Sequence, residues 1–548
     1  MAALHHSRAG RNRMTSSGND PARRIGRVGR RRLLGLAGVS TAALAFGISS
    51  PAHAELGTGR RVPANPFALG VASGDPAPDG MVLWTRLAPE PLAADGRGGM
   101  PQQDYQVSWE VAEDEQFGSV VASGQALASP DLGHSVHPEV TGLSPNREYF
   151  YRFRAGNEIS PVGRTRTMPA RDSMPDQLDL VTVSCQAWYH GYFTGYEHML
   201  ADDPDLVLFL GDYIYEYGIT ESNFWREGAS LPPSEHSAET ITLEQYRLRY
   251  SLFKNEPALQ AMHAAAPWVL TTDDHEVVNN YADEIGGGVP PEEFLLRRAA
   301  AYQAYYENVP LRAAQRPDGP DLPLYRRLHY GRLAQFDVLD TRQYRDDYPC
   351  DEVIGDCPER HNPERSILGT DQETWLYDGI ASSDAVWNTL VQQTVLARID
   401  RDPEEGEIFS TDQWDGFPAA QQRLWDAYRT NGIQNVVSFP GDIHSHVAID
   451  LKEDFTDPDS ATIGVEVGGG SIASNGNGSE HNQFTDLWMA NDHVRYFNGL
   501  RGYLRCTLTP SELRADYRVM PYIQRTGAPI ETAASFVTEA GNPGLQDP

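Results

Sequence analysis

Four short segments of this sequence set chemically capable side chains directly after apolar runs. Leu206-Val207-Leu208-Phe209-Leu210 leads into Gly211-Asp212-Tyr213-Ile214-Tyr215-Glu216, and Trp268-Val269-Leu270-Thr271-Thr272 into Asp273-Asp274-His275-Glu276. Val436-Val437-Ser438-Phe439-Pro440 leads into Gly441-Asp442-Ile443-His444-Ser445-His446, and Val181-Thr182-Val183-Ser184 into Cys185. Such runs read as buried parallel strands, and ligands of open α/β sheets bind beyond the carboxyl ends of the strands. Together these ends predict a metal site built on a sheet. Thiolate, carboxylate and phenolate from Cys185, Asp212 and Tyr215 are anionic, basic ligands. They favour a strongly Lewis-acidic trivalent ion, Fe³⁺, whereas zinc usually takes Cys and His. For a lone cysteine a buried structural thiol is the commoner reading; beside these motifs ligation is the expectation. The acids from Asp273 to Glu276 would also serve to cap a helix.

The elements that must position these residues fall into two patterns. From about Asn65 to Met168 the sequence is short-stranded, alternating and rich in turns. Met81–Thr85, Tyr105–Val111 and Tyr149–Arg154 read as strands of a β-sandwich. The stretch from Val140 to Tyr149 resembles the turn before a late strand of fibronectin type III domains, where a Tyr packs the sheet corner. A polar linker, Arg171 to Gln177, follows. Beyond it, buried strands alternate with helical stretches such as Pro291–Tyr306 and Ala419–Arg429, the signature of a layered α/β domain. Arg297 and Arg298 lie on the first of these helices; an arginine fork there would clamp phosphate oxygens, and a solvated helix face is the alternative.

Composition narrows the function. The 548 residues carry a net charge of −31, and because the first 54 hold nine Arg and one Asp, the remainder carries −39. Such a surface repels phosphate backbones and argues against nucleic-acid wrapping. Arg30-Arg31-Arg32-Leu33-Leu34-Gly35, the apolar run Leu36 to Ile48 and Ala52-His53-Ala54 read as a twin-arginine signal over residues 1–54, too short and too rich in small residues for a stable membrane span. Of the four cysteines, Cys350 and Cys357 flank a short loop and are expected to form a disulfide in a secreted protein, Cys506 reads as core, and Cys185 is left unpaired.

The strand-end turns resemble those of the metallophosphoesterase superfamily. There the second turn reads Gly-Asn-His-Glu; Asp274 takes the place of the amide, and a harder, oxygen-rich ion such as Ca²⁺ suits that change. His275 would protonate the leaving oxygen or stabilise developing charge. The closing turn is usually Gly-His-x-His, so His444 matches a metal ligand, Asp442 replaces the other His, and His446 reads equally as a surface or supporting residue. Taken with Asn65-Pro66-Phe67-Ala68-Leu69-Gly70-Val71-Ala72-Ser73-Gly74-Asp75, Ser184-Cys185-Gln186, Asn279-Asn280, Arg297-Arg298-Ala299, Leu339-Asp340-Thr341-Arg342 and Asp412-Gln413-Trp414-Asp415-Gly416, these turns identify the chain as resembling the alkaline phosphatase D, or PhoD-like phosphatase, family from about residue 65 onward.

The resemblance implies a metallophosphoesterase-like four-layer αββα sandwich over 171–548, preceded by an Ig/fibronectin III-like β-sandwich over 55–170. It implies a secreted phosphoric ester hydrolase with an Fe³⁺ and Ca²⁺ cluster: Cys185, Asp212, Tyr215 and His444 on iron, Asp212 bridging, and Asp274, Asn280 and Asp442 on calcium, with His275, Arg297 and Arg298 as catalytic residues. The expected reaction is in-line attack of metal-activated hydroxide on phosphate mono- and diesters, without a phosphoserine, by a monomer exported by the twin-arginine machinery. Two alternatives are a phospholipase D or phosphodiesterase using the same metals in a wider pocket, and a non-enzymatic surface binder with a decayed metal domain. Loops Gly218–Ser237 and Asp346–Glu364 would set the substrate.

Overall fold

The computed structural model describes residues 62–351, 353–402 and 406–548; the targeting segment expected over 1–54 lies outside them. The apolar runs form the expected buried strands. Leu178–Val183, Leu206–Phe209 and Pro267–Leu270 lie side by side in parallel, with Val207 opposite Val181 on one flank and Trp268 on the other.

Two sheets carry the body of the chain. The first runs Gly80–Arg86, Val71–Ala77, Pro267–Leu270, Leu206–Phe209, Leu178–Val183, Val494–Leu508, Glu512–Met520, Glu531–Glu539 and Asn542–Gln546. The second runs Arg326–Tyr330, Ala334–Val338, Trp387–Val391, Val436–Phe439, Thr462–Gly468, His446–Lys452 and again Val494–Leu508. The 15-residue strand Val494–Leu508 thus belongs to both: Val494 to Asn498 pair with His446–Lys452, and Leu504 to Leu508 with Leu178–Val183.

Because successive side chains of a strand point to opposite faces, each strand feeds two cores. Leu206 and Leu208 pack with Phe336, Val437 and Val465 of the second sheet, while Val207 and Phe209 pack with Tyr246, Phe253, Met262 and Tyr302 of the helices Leu243–Lys254, Pro257–Ala265 and Pro291–Asn308. On the other side, Leu390, Val436 and Ile449 pack with Leu376 and Leu424 of the helices Gly369–Ala381 and Pro418–Asn431. Local chemistry fixes the helix ends: Thr242 and Gln245 form a capping box at the start of Leu243–Lys254, and Gly432 closes Pro418–Asn431 in the left-handed region.

Nearer the N-terminus, Tyr105–Ala112, Val120–Ala128, Glu148–Ala155, Glu158–Ile159 and Gly163–Arg166 form a separate antiparallel sheet. Its inner face shares a core with Val71, Met81 and Leu83, and the Tyr149 hydroxyl accepts the Ser144 N–H at 3.0 Å, packing a sheet corner. Val71–Ala77, however, also pairs in parallel with Pro267–Leu270, so part of the segment before residue 170 is built into the first sheet. Gly74 permits that approach, since a Cβ there would lie 2.9 Å from the Trp268 carbonyl. Cys350 and Cys357 are disulfide-bonded, and Cys506 is fully buried.

A chain beginning at residue 171 would leave Pro267–Leu270 as a bare, apolar sheet edge. It is expected to aggregate; soluble yield and a near-UV circular dichroism melt check this, and a soluble fragment with a cooperative melt would show the earlier strands to be dispensable.

Candidate metal centre

The centre lies where the carboxyl ends of the two sheets meet. Cys185, Asp212 and Asp274 follow strands of the first sheet, and Asp442 and His444 follow Val436–Phe439 of the second. The turns are sharp. Cys185, Asp212, Asn280, Asp442 and His444 all have φ between 55° and 62°, a region that non-glycine residues enter rarely and mostly at constrained sites. Gly211, at φ 104°, has no room for a side chain: a Cβ would fall 2.4 Å from that of Asp273.

At one end, ligand atoms of Cys185, Asp212 and His444 come within 4.8 Å of one another. Tyr215 joins them: its hydroxyl donates to Asp212 Oδ2 (2.8 Å), accepts from Ser474 Oγ (2.7 Å) and lies 2.9 Å from His444 Nε2. The Asn475 amide meets His444 Nδ1 at 2.8 Å. Ligand atoms of Asp212, Asp274 and His275 form a second group within the same limit, and those of Asp273, Asp274 and Asp442 a third. Asp212 is therefore common to the first two groups. His275 Nδ1 lies 2.7 Å from Glu216 Oε2, and the Tyr215 ring packs 4.2 Å from the imidazole.

The electrostatics fit a polyvalent cation. Burial, then the Asp212 charge, pushes the Cys185 thiol up; burial, then Asp212 and Cys185, does the same to the Tyr215 phenol. Burial, joined by Asp274 and Glu276, drives Asp212 well above the usual carboxylate range against the pull of His275, and Asp442 rises to about 6 through burial and Asp412. Burial also holds His444 neutral, the form in which imidazole ligates. For His275 burial acts downward, but Glu216, Asp274 and Asp212 outweigh it and raise the ring's affinity for a proton. A bound cation reverses the cost of charging these donors. Two carboxylate oxygens, Asp273 Oδ2 and Asp274 Oδ1, are buried without a hydrogen-bond partner, as atoms awaiting a metal would be. The donors also differ by end, with thiol, phenol and imidazole at one and carboxylate oxygens at the other.

The other expected residues take varied places. The Asn280 backbone N–H donates to Asp274 Oδ2 at 2.6 Å and its carbonyl accepts from Tyr348, and the residue is half-buried. Arg297 bonds Tyr246 (2.9 Å) and pairs with Glu239 (2.7 Å), leaving Nη2 buried and unpartnered. Arg298 is committed to the Pro320 and Asp283 carbonyls and pairs with Asp321. His446 is buried, its Nδ1 accepting the Gly470 N–H at 2.9 Å, so it supports the turn that carries Ser471 and Ser474. Tyr213 is core, bonded to His263 and Lys254.

Several supporting residues carry no sequence signal of their own. Glu276 accepts the N–H groups of Asp212 (3.1 Å), Tyr213 (2.6 Å) and Asp273 (2.8 Å), stitching two turns together; no helix begins at these acids, so they do not cap one. Glu216 fixes both His275 and the Asn279 N–H (2.9 Å). Ser471 and Ser474 bond the Cys185 carbonyl at 2.7 and 2.8 Å. Their only hint is a glycine-rich run, Gly468-Gly469-Gly470, at the end of a strand.

Comparison with known proteins identifies the family. The sequence profile of the PhoD-like phosphatases matches residues 180–517, and that of the PhoD-like phosphatase N-terminal domain matches 52–169. The chain is 48% identical over 486 residues to alkaline phosphatase D of Bacillus subtilis (strain 168), covering 88% of this chain and 82% of that protein. A solved structure described as "Structure of PhoD" superposes with a TM-score of 0.84 at 48% identity, over 88% of this chain and 92% of the other. With both profiles matched and the strand-end turns assembled into one centre, the chain belongs to the PhoD-like phosphatase family and is a phosphoric ester hydrolase.

Proposed function

We propose that this phosphatase hydrolyses phosphate mono- and diesters at a mixed centre, with Fe³⁺ on Cys185, Asp212, Tyr215 and His444 and Ca²⁺ on Asp274, Asn280 and Asp442, Asp212 being shared. The observation that carries this is the contact of the Tyr215 hydroxyl with both Asp212 and His444, beside the buried Cys185 thiol. When bound, the ions supply Lewis acidity, making a nucleophile of water and neutralising the ester's charge.

The chain's own residues do the rest. Glu216 holds His275 through Nδ1, so the proton for the leaving oxygen sits on Nε2, and the Asn279 N–H fixes Glu216 in turn. Ser471 and Ser474 are engaged with the backbone and phenol of ligand residues, a supporting role rather than a nucleophilic one. Of the two arginines, Arg297 has the donor to spare for a phosphate oxygen.

A second reading, a diesterase acting on phospholipids in the manner of phospholipase D, draws on two exposed aromatics. Tyr217 lies edge-on to His275 at 5.3 Å, and Trp225 stacks at 4.1 Å on His190, whose Nδ1 accepts the Asn475 N–H. Such a rim would suit a bulky leaving group. Parallel assays on a monoester, bis(p-nitrophenyl) phosphate and phosphatidylcholine separate the two.

The same proposal includes export by the twin-arginine route, a division into 55–170 and 171–548, a monomeric chain, and a four-layer α/β/β/α frame with a fibronectin-like N-terminal sheet. It is supported by the Cys350–Cys357 disulfide, typical of oxidising compartments, and by the three separate apolar cores on and between the sheets. Among the described residues no helix is long and apolar enough to cross a membrane.

Metal analysis and a visible spectrum of untreated protein are expected to show iron, calcium and a phenolate-to-iron charge-transfer band. Tyr215→Phe should abolish the band and lower kcat/KM by at least about 100-fold, at the upper end of what loss of a metal-supporting group costs; zinc alone and a colourless protein would falsify the assignment. His275→Gln should retain the metals yet lower kcat by about 10²–10⁴-fold on an alkyl phosphate. The loss should be far smaller on p-nitrophenyl phosphate, whose leaving group needs no proton; equal losses on both would remove His275 from the proton-donor role.

A further inference from the structure

One imidazole beside the centre has no task in the reaction proposed above. His190 ends the short turn Trp188–His190, which follows closely on Cys185. Its Nδ1 accepts the Asn475 N–H at 3.1 Å. The Trp225 ring stacks on it at 4.1 Å, and the Tyr189 ring packs edge-on with centroids 4.4 Å apart. Trp225 is itself anchored, its N–H donating to the Tyr189 carbonyl at 2.8 Å. Asn475 joins this imidazole to a second one, since its side-chain amide meets His444 Nδ1 at 2.8 Å. The electrostatics agree with that nearness. Burial, then Arg501 and His275, push the pKa of His190 down to about 3, and His190 in turn is one of the groups that, with burial, keep His444 neutral.

We propose that His190 is a substrate-binding residue whose Nε2–H donates to a phosphoryl oxygen of the bound ester. The inference rests on the metal-centre reading above, which puts the phosphoryl group beside His444 and His275. A backbone N–H can only donate, so Nδ1 carries the lone pair and the proton of the neutral ring sits on Nε2. Nε2 lies across the ring from Nδ1 and so faces away from Asn475. It has no hydrogen-bond partner among the described residues, yet it is not sealed in: 9% of the residue's surface stays open although Trp225 and Tyr189 pack against the ring. A largely buried donor is costly to leave unmade, and an anionic oxygen is the acceptor that rewards it most. The role differs from that of His275. There Glu216 favours the charged ring, whose proton can pass to the leaving oxygen. His190 is neutral, adds no positive charge beside a cation and keeps its N–H through neutral and alkaline pH. Trp225 and Asn475 act through it, as positioning residues.

The test uses the purified holoenzyme with inorganic phosphate as competitive inhibitor; metal content and circular dichroism are measured for each variant. His190→Asn places an amide oxygen near the position of Nδ1, so the bond from Asn475 survives while the donor at Nε2 is lost. It is expected to keep the wild-type metal content and to raise both the phosphate Ki and the KM for p-nitrophenyl phosphate by about 10- to 100-fold, the range for a hydrogen bond to a charged group. His190→Gln, whose amide reaches the place of Nε2, is expected to recover most of that loss. An unchanged Ki in His190→Asn overturns the proposal. So does a raised KM with an unchanged Ki, which would assign the donor to the organic portion of the ester. Loss of metal in His190→Asn also overturns it, since the residue would then act only through Asn475 on His444. Should His190→Asn fail to fold, His190→Gln against His190→Ala decides: equal Ki values overturn the proposal, and weaker phosphate inhibition in His190→Ala alone supports it. Wild-type protein that carries no metal sinks the metal-centre reading and this inference together, whereas metal-loaded wild type and His190→Asn inhibited equally by phosphate sink only the inference.

Discussion

Everything in this molecule is arranged around the mutual repulsion of buried anions. Asp212, Asp273, Asp274, Glu216, Glu276 and Asp412 are all buried, and Asp442 is largely so, within two clustered sets of turns. Taking such groups out of water is costly unless each is paired or coordinates a metal. The structure meets the cost by three routes. Some carboxylates are neutralised by guanidinium, as Asp273 and Asp412 are by Arg342. Some are absorbed by backbone amides, as Glu276 is by three N–H groups. Those left over, with the thiol and phenol, face one another and define where a cation belongs.

The left-handed backbone at the ligand residues follows from the same constraint. An extended strand alternates its side chains and cannot aim consecutive donors at one point. A single residue at positive φ turns the chain sharply enough to do so, at an energetic cost that the surrounding bonds hold in place. Asp212 is stabilised through its N–H to Glu276, and Cys185 through its N–H to the Gly211 carbonyl and the two serines on its own. Since donors come from both sheets, a bound ion would also tie the sheets together, and metal affinity and stability become linked quantities.

The strands and the donor residues were legible because they combine strong local signals: uninterrupted apolar runs, a glycine or proline at the turn, then acids and histidine. Asp212, Tyr215, Cys185 and His444 sit on such ends and converge. What lay out of reach was whatever acts through the backbone or across great sequence distance. Glu276 looks like any acid, and only its three N–H partners reveal its role. Ser474 and Asn475 follow a glycine-rich loop with no chemical pattern. Arg297 and Arg298 are neighbours in sequence, yet a helix turns consecutive residues by about 100°, and they reach different partners. The merging of Val71–Ala77 into the first sheet depends on pairing Ser73 with Pro267, which alternation within either strand does not encode.

The strand Val494–Leu508 was described as common to both sheets, and this sets an order of assembly. Leu178–Val183, which ends one residue before the turn to Cys185, has Cys506 opposite Leu180 as its neighbour. His446–Lys452, which begins just after His444, leans on residues Val494 to Asn498. Neither flank is complete until Val494–Leu508 is in place, and pairings so distant in sequence form late and slowly. The centre is therefore unfinished until that one strand has paired with both sheets, so a single late segment closes both of its sides.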